Sequence, residues 1–431
     1  MRLFGNMEVK NNVLYIGGVS AEQLVKKFKT PLYVIDENFV RDKCRRYYRA
    51  FEADKNNKIT YAGKAFLTLA MCNIIDSEGL HLDVVSGGEL YTALKSGFPM
   101  EKIYFHGNNK TPEEIEMGVN FGVGRFVIDN LCEMEKINLL AQKKDVVQKV
   151  LLRVTPGIEA HTHDYIKTGQ VDSKFGFTML KGETMDMIKK AMSMPNLKFV
   201  GIHCHIGSEI FEIKPYEDEV EIMLKLVRKI KDETGYEVEE LNLGGGFGIY
   251  YSEGDKPKPI EDFCGIILES ARLKSKELNI KLPSLTIEPG RSIIGNAGTT
   301  LYTIGAIKEI PGIRKYVFVD GGMADNIRPA LYSANYECAI ANKVRSGYEE
   351  AVTIGGKCCE SGDILIKDVK LPVAKTGDIL AVASTGAYGY SMASNYNKIP
   401  IPAVVLVKDG EARPIVRRQS FDEIIENEIM V

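Results

Sequence analysis

No charge of one sign dominates this chain. Its 55 Lys and Arg stand against 58 Asp and Glu, a formal net charge of −3. No broad basic field therefore points to nucleic acid or to an anionic membrane. Long apolar runs are absent too, and nothing reaches the roughly 18–20 residues that a membrane span needs. Met1–Lys10 holds no apolar core of the kind a secretory signal carries, so export is not expected. The eight cysteines form no CxxC pair and keep no regular spacing. In a chain this long, that pattern predicts reduced thiols and a cytoplasmic setting, not a disulfide framework. Adjacent Cys358 and Cys359 are badly placed for a structural bridge. Low-complexity segments are missing as well.

What is present is enough for two domains. The chain has 431 residues, of which 45% are hydrophobic. Residues 1–35 read as short strands, clearest at Leu14–Ile16 and Leu32–Ile35, and a helix follows over Glu37–Ala53. Strand-like segments then recur at 59–63, 80–86, 102–107, 125–129, 149–155, 199–206, 240–244 and 284–288. Each of the first seven leads into a helix-compatible stretch, such as Leu67–Glu78, Leu131–Lys144 or Ile260–Leu278. Eight such units match the length of a (β/α)8 TIM-like barrel, with a doubly wound open sheet as the competing architecture. The long connection at 157–180 has the look of an active-site loop. After about residue 295, strand-like runs separated by Gly, Pro and Asp turns predict an all-β domain, a sandwich or barrel completed by the N-terminal strands. The expected division is a barrel over 36–295, with 1–35 and 296–431 forming the β domain.

In a barrel, chemistry collects where strands end. The first strand ends in Ile59-Thr60-Tyr61-Ala62-Gly63-Lys64-Ala65-Phe66. Lys64 is either a solvated loop lysine or, if buried, an amine made nucleophilic by a desolvation-lowered pKa. Other strands end in Asp83 with Ser86, His106, Arg153, His203 with His205, and Glu288 with Arg291. Gly244-Gly245-Gly246 after the seventh strand suits either a tight turn or a backbone cradle for phosphate. It is not GxGxxG, so a dinucleotide fingerprint is not supported. His203 and His205, like His161 and His163, form an HxH pair that suits zinc or an imidazole lying against an aromatic cofactor. No further ligand set at an obvious spacing favours metal, so none is expected. Glu288 suits a proton-holding role on a cofactor ring nitrogen, or an ion pair with Arg291. Lysine, phosphate cradle, imidazole and carboxylate together suit pyridoxal 5′-phosphate, with Lys64 as its Schiff-base partner.

Stretches matching a known family run in order through nearly the whole chain: YAGKAF, DVVSGGEL, HGNNK, GIHCHIGS, LNLGGGFG, EPGRS, DGGMADNIRPALY, GKCCESGD and GAYGYSMASNYN. On these the sequence resembles the fold-type III pyridoxal-phosphate-dependent decarboxylases, in particular the diaminopimelate decarboxylase family. The resemblance implies decarboxylation of meso-2,6-diaminopimelate to L-lysine and CO2 in lysine biosynthesis, by a homodimer with shared active sites. It implies that Lys64 carries the cofactor, His203 stacks on its ring and Glu288 partners the pyridine nitrogen. Ser208, Gly245, Gly246 and Tyr388 match the phosphate contacts, with Pro289, Gly290 and Arg291 beside them. Cys359 is similar to a proton donor supplied by the neighbouring subunit. Arg291, Arg328, Tyr332, Glu360 and Tyr388 match residues that hold the far end of the substrate. Phe66 departs from the asparagine many members carry, which bears on cofactor packing. An ornithine- or arginine-type decarboxylase of the same fold, and a non-catalytic regulatory homologue, are the alternatives.

Overall fold

A computed structural model describes residues 1–51, 56–157, 173–345 and 348–431. The chain divides into two compact units. One comprises Lys43–Gly248 and Lys256–Arg291, the other Met1–Asp42, Ile249–Asp255 and Ser292–Val431. No helix among the described residues is long and apolar enough to cross a membrane.

The first unit is a closed parallel barrel. Its strands are Lys58–Ala62, His81–Val84, Ile103–Phe105, Arg125–Ile128, Gln148–Thr155, Leu197–His203, Glu240–Asn242 and Ser284–Ile287. Each pairs with the next in sequence, and Ile287 pairs with Ile59 to close the ring. Closure decides between the two architectures expected from the sequence, and the open sheet is not found. The strands read as apolar runs because a parallel sheet wrapped in helices is covered on both faces. Tyr104, Val127, Leu151 and Val200 form one buried cluster contributed by four neighbouring strands. Polar residues in the strand–helix turns start the helices. Thr68, Ser86, Thr111 and Asn130 each accept a bond from an amide three residues on, which satisfies amides that the first helical turn leaves without partners. The long connection at 157–180 lies mostly outside the described residues, as do His161 and His163.

At the N-terminal end of the barrel, Glu240 accepts from Lys58 Nζ at 2.7 Å, Arg125 Nε at 2.9 Å and Tyr104 Oη at 3.0 Å. Burial opposes ionisation of this carboxyl, but Arg125 and Lys58 outweigh it and hold the pKa down at about 2. A depressed carboxyl stabilises the fold above its unfolded pKa and loses that contribution as pH falls from there toward about 2. The span corresponds to roughly 3 kcal/mol. Glu240→Gln is expected to lower stability by about that amount at neutral pH, since it leaves two half-buried cations without their counter-charge. Urea unfolding would show it, and the difference from wild type should shrink as acid protonates Glu240. A difference that persists in acid would contradict this.

The second unit is β-rich. Leu32–Asp36 lies between Gly298–Ile310, antiparallel to it, and Ala403–Lys408, parallel to it. This N-terminal strand does complete the sheet, as expected. The sheet continues through Arg314–Val319, Glu349–Gly355 and Ile364–Pro372 on one side and Glu411–Val416 on the other. Cys338–Ile340 joins through Ile379–Ala383. Residues 1–35 are not all strand, however. After a three-stranded sheet of Met7–Lys10, Val13–Ile16 and Val19–Ser20, a helix covers Ala21–Phe28. A capping box between Ser20 and Gln23 starts it, and Ala21 and Leu24 are buried on one face. At the other end, the final helix runs Phe421–Ile425.

Candidate active site

Lys64 stands in a single 3-10 turn, Gly63–Ala65, at the C-terminal end of the first barrel strand. The α-helix begins only at Leu69, later than the sequence pattern suggested. Gly63, Ala65 and Phe66 are buried around it, and Tyr61 Oη donates to the Phe66 carbonyl at 2.8 Å. A Cβ at Gly63 would stand 2.7 Å from the Asp83 carbonyl, so only glycine lets the turn lie this close to the second strand. The lysine itself is exposed. Burial, one of the two conditions weighed from the sequence, is therefore not what marks this side chain.

The Glu288-Pro289-Gly290 segment lies directly against this turn. The Ala62 amide donates to the Pro289 carbonyl at 3.1 Å, and a Cβ on Gly290 would come within 2.9 Å of Ala62 Cβ and 3.2 Å of Ala65 Cβ. The glycine triplet lies against the other side of Glu288. The Glu288 amide donates to the Gly244 carbonyl at 2.6 Å. A Cβ at Gly245 would stand 2.1 Å from the Glu288 carbonyl, and one at Gly246 would stand 2.2 Å from the Gly207 carbonyl. Gly246 also has φ +100°, which an L side chain tolerates poorly. These glycines are thus required by close approach as well as by turn geometry. Gly245→Ala is expected to cost about 1–3 kcal/mol of stability through overpacking. An unchanged urea midpoint would show that the rim yields freely.

At the heart of the rim is a buried carboxylate with two hydrogen-bond partners and a third, closely approaching imidazole. Glu288 Oε2 lies 3.2 Å from His203 Nε2, and Oε1 lies 2.7 Å from Asn242 Nδ2 and 2.9 Å from His106 Nε2. Burial resists its ionisation, but His106 and His203 prevail and hold it well below the usual carboxylate range. Burial pulls the His203 pKa down to about 4. The neutral ring then donates from Nε2 to Glu288, and its buried Nδ1 has no partner among the described residues. His106 goes the other way. Burial lowers its pKa, yet Asp83 and Glu288 outweigh that and raise it. Asp83, 3.9 Å from His106 Nε2, is itself pushed up to about 6 by burial. His106, His203 and Glu288 are the one set of metal-ligand type among the described residues, with atoms within 4.8 Å of one another. His203 Nε2 is hydrogen-bonded to Glu288, and His106 Nε2 faces the same carboxylate at ion-pair distance.

The sixth strand ends at His203, so strand periodicity does not govern His205. Its Nδ1 accepts the Gly245 amide at 3.2 Å instead, and burial holds the ring well below its usual pKa. On the same rim, Arg291 Nη2 donates to Ser208 Oγ at 2.9 Å, and Arg291 Nε lies 2.9 Å from Glu209 Oε2. The structure therefore gathers Lys64, His203, Ser208, Gly245, Gly246, Glu288, Pro289, Gly290 and Arg291 on adjoining strand ends of one barrel. Asn242 was not singled out from the sequence. It is the last residue of the seventh strand, and a lone polar residue at a strand end carries no signal of its own.

The remaining candidates belong to the β-rich unit. Arg328 is buried, its guanidinium 4.6 Å above the Tyr251 ring, 5.7 Å from the Tyr336 ring and 6.0 Å from that of Tyr332. Its Nη1 donates to Tyr336 Oη at 2.6 Å. Cys359 is exposed, and its amide donates to Asn397 Oδ1 at 2.7 Å. Glu360 is exposed beside it. Asp363 ties this loop to the DGGMADN loop by accepting the Cys358 and Met323 amides, each at 2.7 Å. Tyr388 is half-buried and sits at φ +61°, a left-handed conformation unusual for a bulky residue.

Residues 37–295 match the family model described as "Pyridoxal-dependent decarboxylase, pyridoxal binding domain". The chain is 49% identical to the diaminopimelate decarboxylase of Bacillus subtilis over 413 residues, covering 96% of this chain and 94% of that one. The crystal structure of the diaminopimelate decarboxylase from "m. jannaschii" in complex with L-lysine superposes with a TM-score of 0.93 at 37% identity, covering 99% of this chain and 98% of that one. A lysine/ornithine decarboxylase from Vibrio vulnificus, at 21% identity and a TM-score of 0.77, shares the fold. The chain belongs to the pyridoxal-dependent decarboxylase family and, within it, to the diaminopimelate decarboxylases.

Proposed function

We propose that this protein decarboxylates meso-2,6-diaminopimelate to L-lysine and CO2, with pyridoxal 5′-phosphate held by Lys64 as a carboxy-lyase of lysine biosynthesis. One observation carries the reading: the Lys64 turn, the Glu288 carboxylate and the glycine triplet form one continuous rim of the barrel. The residues fit that cofactor. The triplet leaves a cradle that a Cβ would fill, the buried acid is held anionic, and His203 keeps a ring nitrogen without a partner among the described residues.

When bound, the cofactor supplies an electron-withdrawing ring at the carbon that loses CO2. Lys64 offers an exposed amine for the covalent attachment. Glu288, kept ionised by His106 and His203, would hold a proton on the ring nitrogen. Neutral His203 would offer its imidazole to the cofactor ring. Gly245 and Gly246, with Ser208 and Tyr388, would hold the phosphate, the bare glycine backbone leaving room for it, and Pro289, Gly290 and Arg291 would line the same edge. Cys359 delivers a proton to the α-carbon as general acid. Arg291, Arg328, Tyr332, Glu360 and Tyr388 hold the distal amino-acid centre, the arginines taking its carboxylate and Glu360 its ammonium. Homodimerisation supplies Cys359 and Glu360 from the neighbouring subunit. All eight cysteines are free, which supports a reducing, cytoplasmic setting.

Ornithine, arginine and lysine lack the distal carboxylate. Their binding would leave the distal pocket without the carboxylate that its charge matches, at a cost of a few kcal/mol. CO2 release from meso-diaminopimelate is therefore expected to exceed release from the other three by orders of magnitude. Faster release from ornithine or arginine would overturn the assignment.

A further inference from the structure

We propose that Asn242 is a positioning residue that locks the charge-bearing acid of the site to its phosphate cradle. The inference rests on the functional reading above and deepens it. Asn242 is fully buried at the end of the seventh strand. Its side-chain amide is used at both ends. Nδ2 donates to Glu288 Oε1 at 2.7 Å, and Oδ1 accepts the Gly244 amide at 3.0 Å. Gly244 is held at φ +62°, where a Cβ would stand 2.6 Å from the Cys204 carbonyl. Its backbone thus has little freedom, and it accepts in turn from the Glu288 amide. The result is a closed loop of three bonds: Asn242 to Glu288, Glu288 to Gly244, Gly244 to Asn242.

The choice of a neutral amide matters physically. A carboxylate accepts hydrogen bonds and cannot donate them. Only the amide gives Glu288 a donor without adding charge, while still offering an oxygen to Gly244. The other titratable groups whose charge bears on Glu288 come from different elements: Asp83 from the second strand, His106 just after the third, Arg153 from the fifth, His203 from the sixth with Cys204 and His205 after it, and Glu219 from the Lys214–Thr234 helix. His106 and Arg153 supply positive charge on one side, and Asp83 supplies a competing carboxyl. A second carboxylate at position 242 would lie against Glu288 and force the pair to share a proton. Asn242 thereby fixes the orientation of the Glu288 carboxyl and keeps it charged.

The test compares holoenzyme of wild type, Asn242→Asp and Asn242→Ala by three readouts: the pH profile of the cofactor's visible absorbance, cofactor retention on dilution, and kcat against KM. Asn242→Asp keeps an oxygen for the Gly244 amide, so cofactor retention should change little. Its absorbance profile should shift along the pH axis, and kcat should fall roughly tenfold to a hundredfold at near-constant KM. Asn242→Ala should lose cofactor affinity by a similar factor as well. Melting temperature is followed alongside. A lowered melting temperature in Asn242→Asp with wild-type absorbance profile and kcat would mean a merely structural role and would overturn the inference. If Asn242→Ala does not fold, Asn242→Asp alone decides. A wild type that binds no cofactor would overturn the functional reading and this inference together. A wild type that binds it, beside an unaltered Asn242→Asp, would overturn the inference alone.

Discussion

Lys64→Ala folds normally and does not decarboxylate. The side chain is exposed in its turn, so its loss should move stability by no more than about 0.5 kcal/mol. The turn itself is set by Gly63 against the second strand and by the Phe66 carbonyl held by Tyr61, and neither depends on the lysine amine. Activity is another matter. A reaction that depends on covalent attachment loses its route when the attaching group goes, and kcat should fall by roughly 10⁴-fold or more. The visible absorbance of the attached cofactor should vanish with it. Phosphate and ring contacts on the neighbouring strand ends are untouched, so noncovalent cofactor binding should survive in part. Residual turnover within tenfold of wild type would place the covalent step elsewhere.

Cys359→Ala should separate chemistry from cofactor binding. The thiol is exposed, and the loop around it is fixed through backbone groups: the Cys359 amide to Asn397 and the Cys358 and Met323 amides to Asp363. Removing one sulfur atom leaves all three in place. Loss of a positioned general acid costs about 10²–10⁴ in rate. The predicted variant is folded, holds its cofactor with wild-type absorbance and turns over slowly. Near-normal CO2 release with lysine as product would remove Cys359 from the proton transfer. The pair of variants is diagnostic together, since Lys64→Ala alters the spectrum and Cys359→Ala does not.

How much of this was legible in the sequence follows from what each residue is asked to do. The barrel strands announce themselves because burial on both faces demands uninterrupted apolar runs, and the turns after them announce themselves through capping residues such as Ser86 and Asn130. Gly244–Gly246 could be read as a site because close backbone approach leaves no other residue type able to stand there. The features that escaped have weaker signatures. Glu411–Val416 is an edge strand paired on one side only and mostly unburied, so it lacks the alternation that marks a half-buried strand. The Ala21–Phe28 helix is two turns long and framed by strands, so its capping box was the better clue than its periodicity. Asn242 escaped because its role is spent entirely on other side chains and backbone, with nothing in its own neighbourhood to advertise it. Lys64's exposure stayed open between two readings because a strand-end position does not say which way a long side chain turns.

The central claim is that the Lys64 amine carries the cofactor. Borohydride reduction of the purified holoenzyme, followed by peptide mapping by mass spectrometry, tests it most directly. The account predicts one pyridoxyl-modified lysine per chain, at Lys64. An unmodified Lys64, or a label on any other lysine, would contradict it.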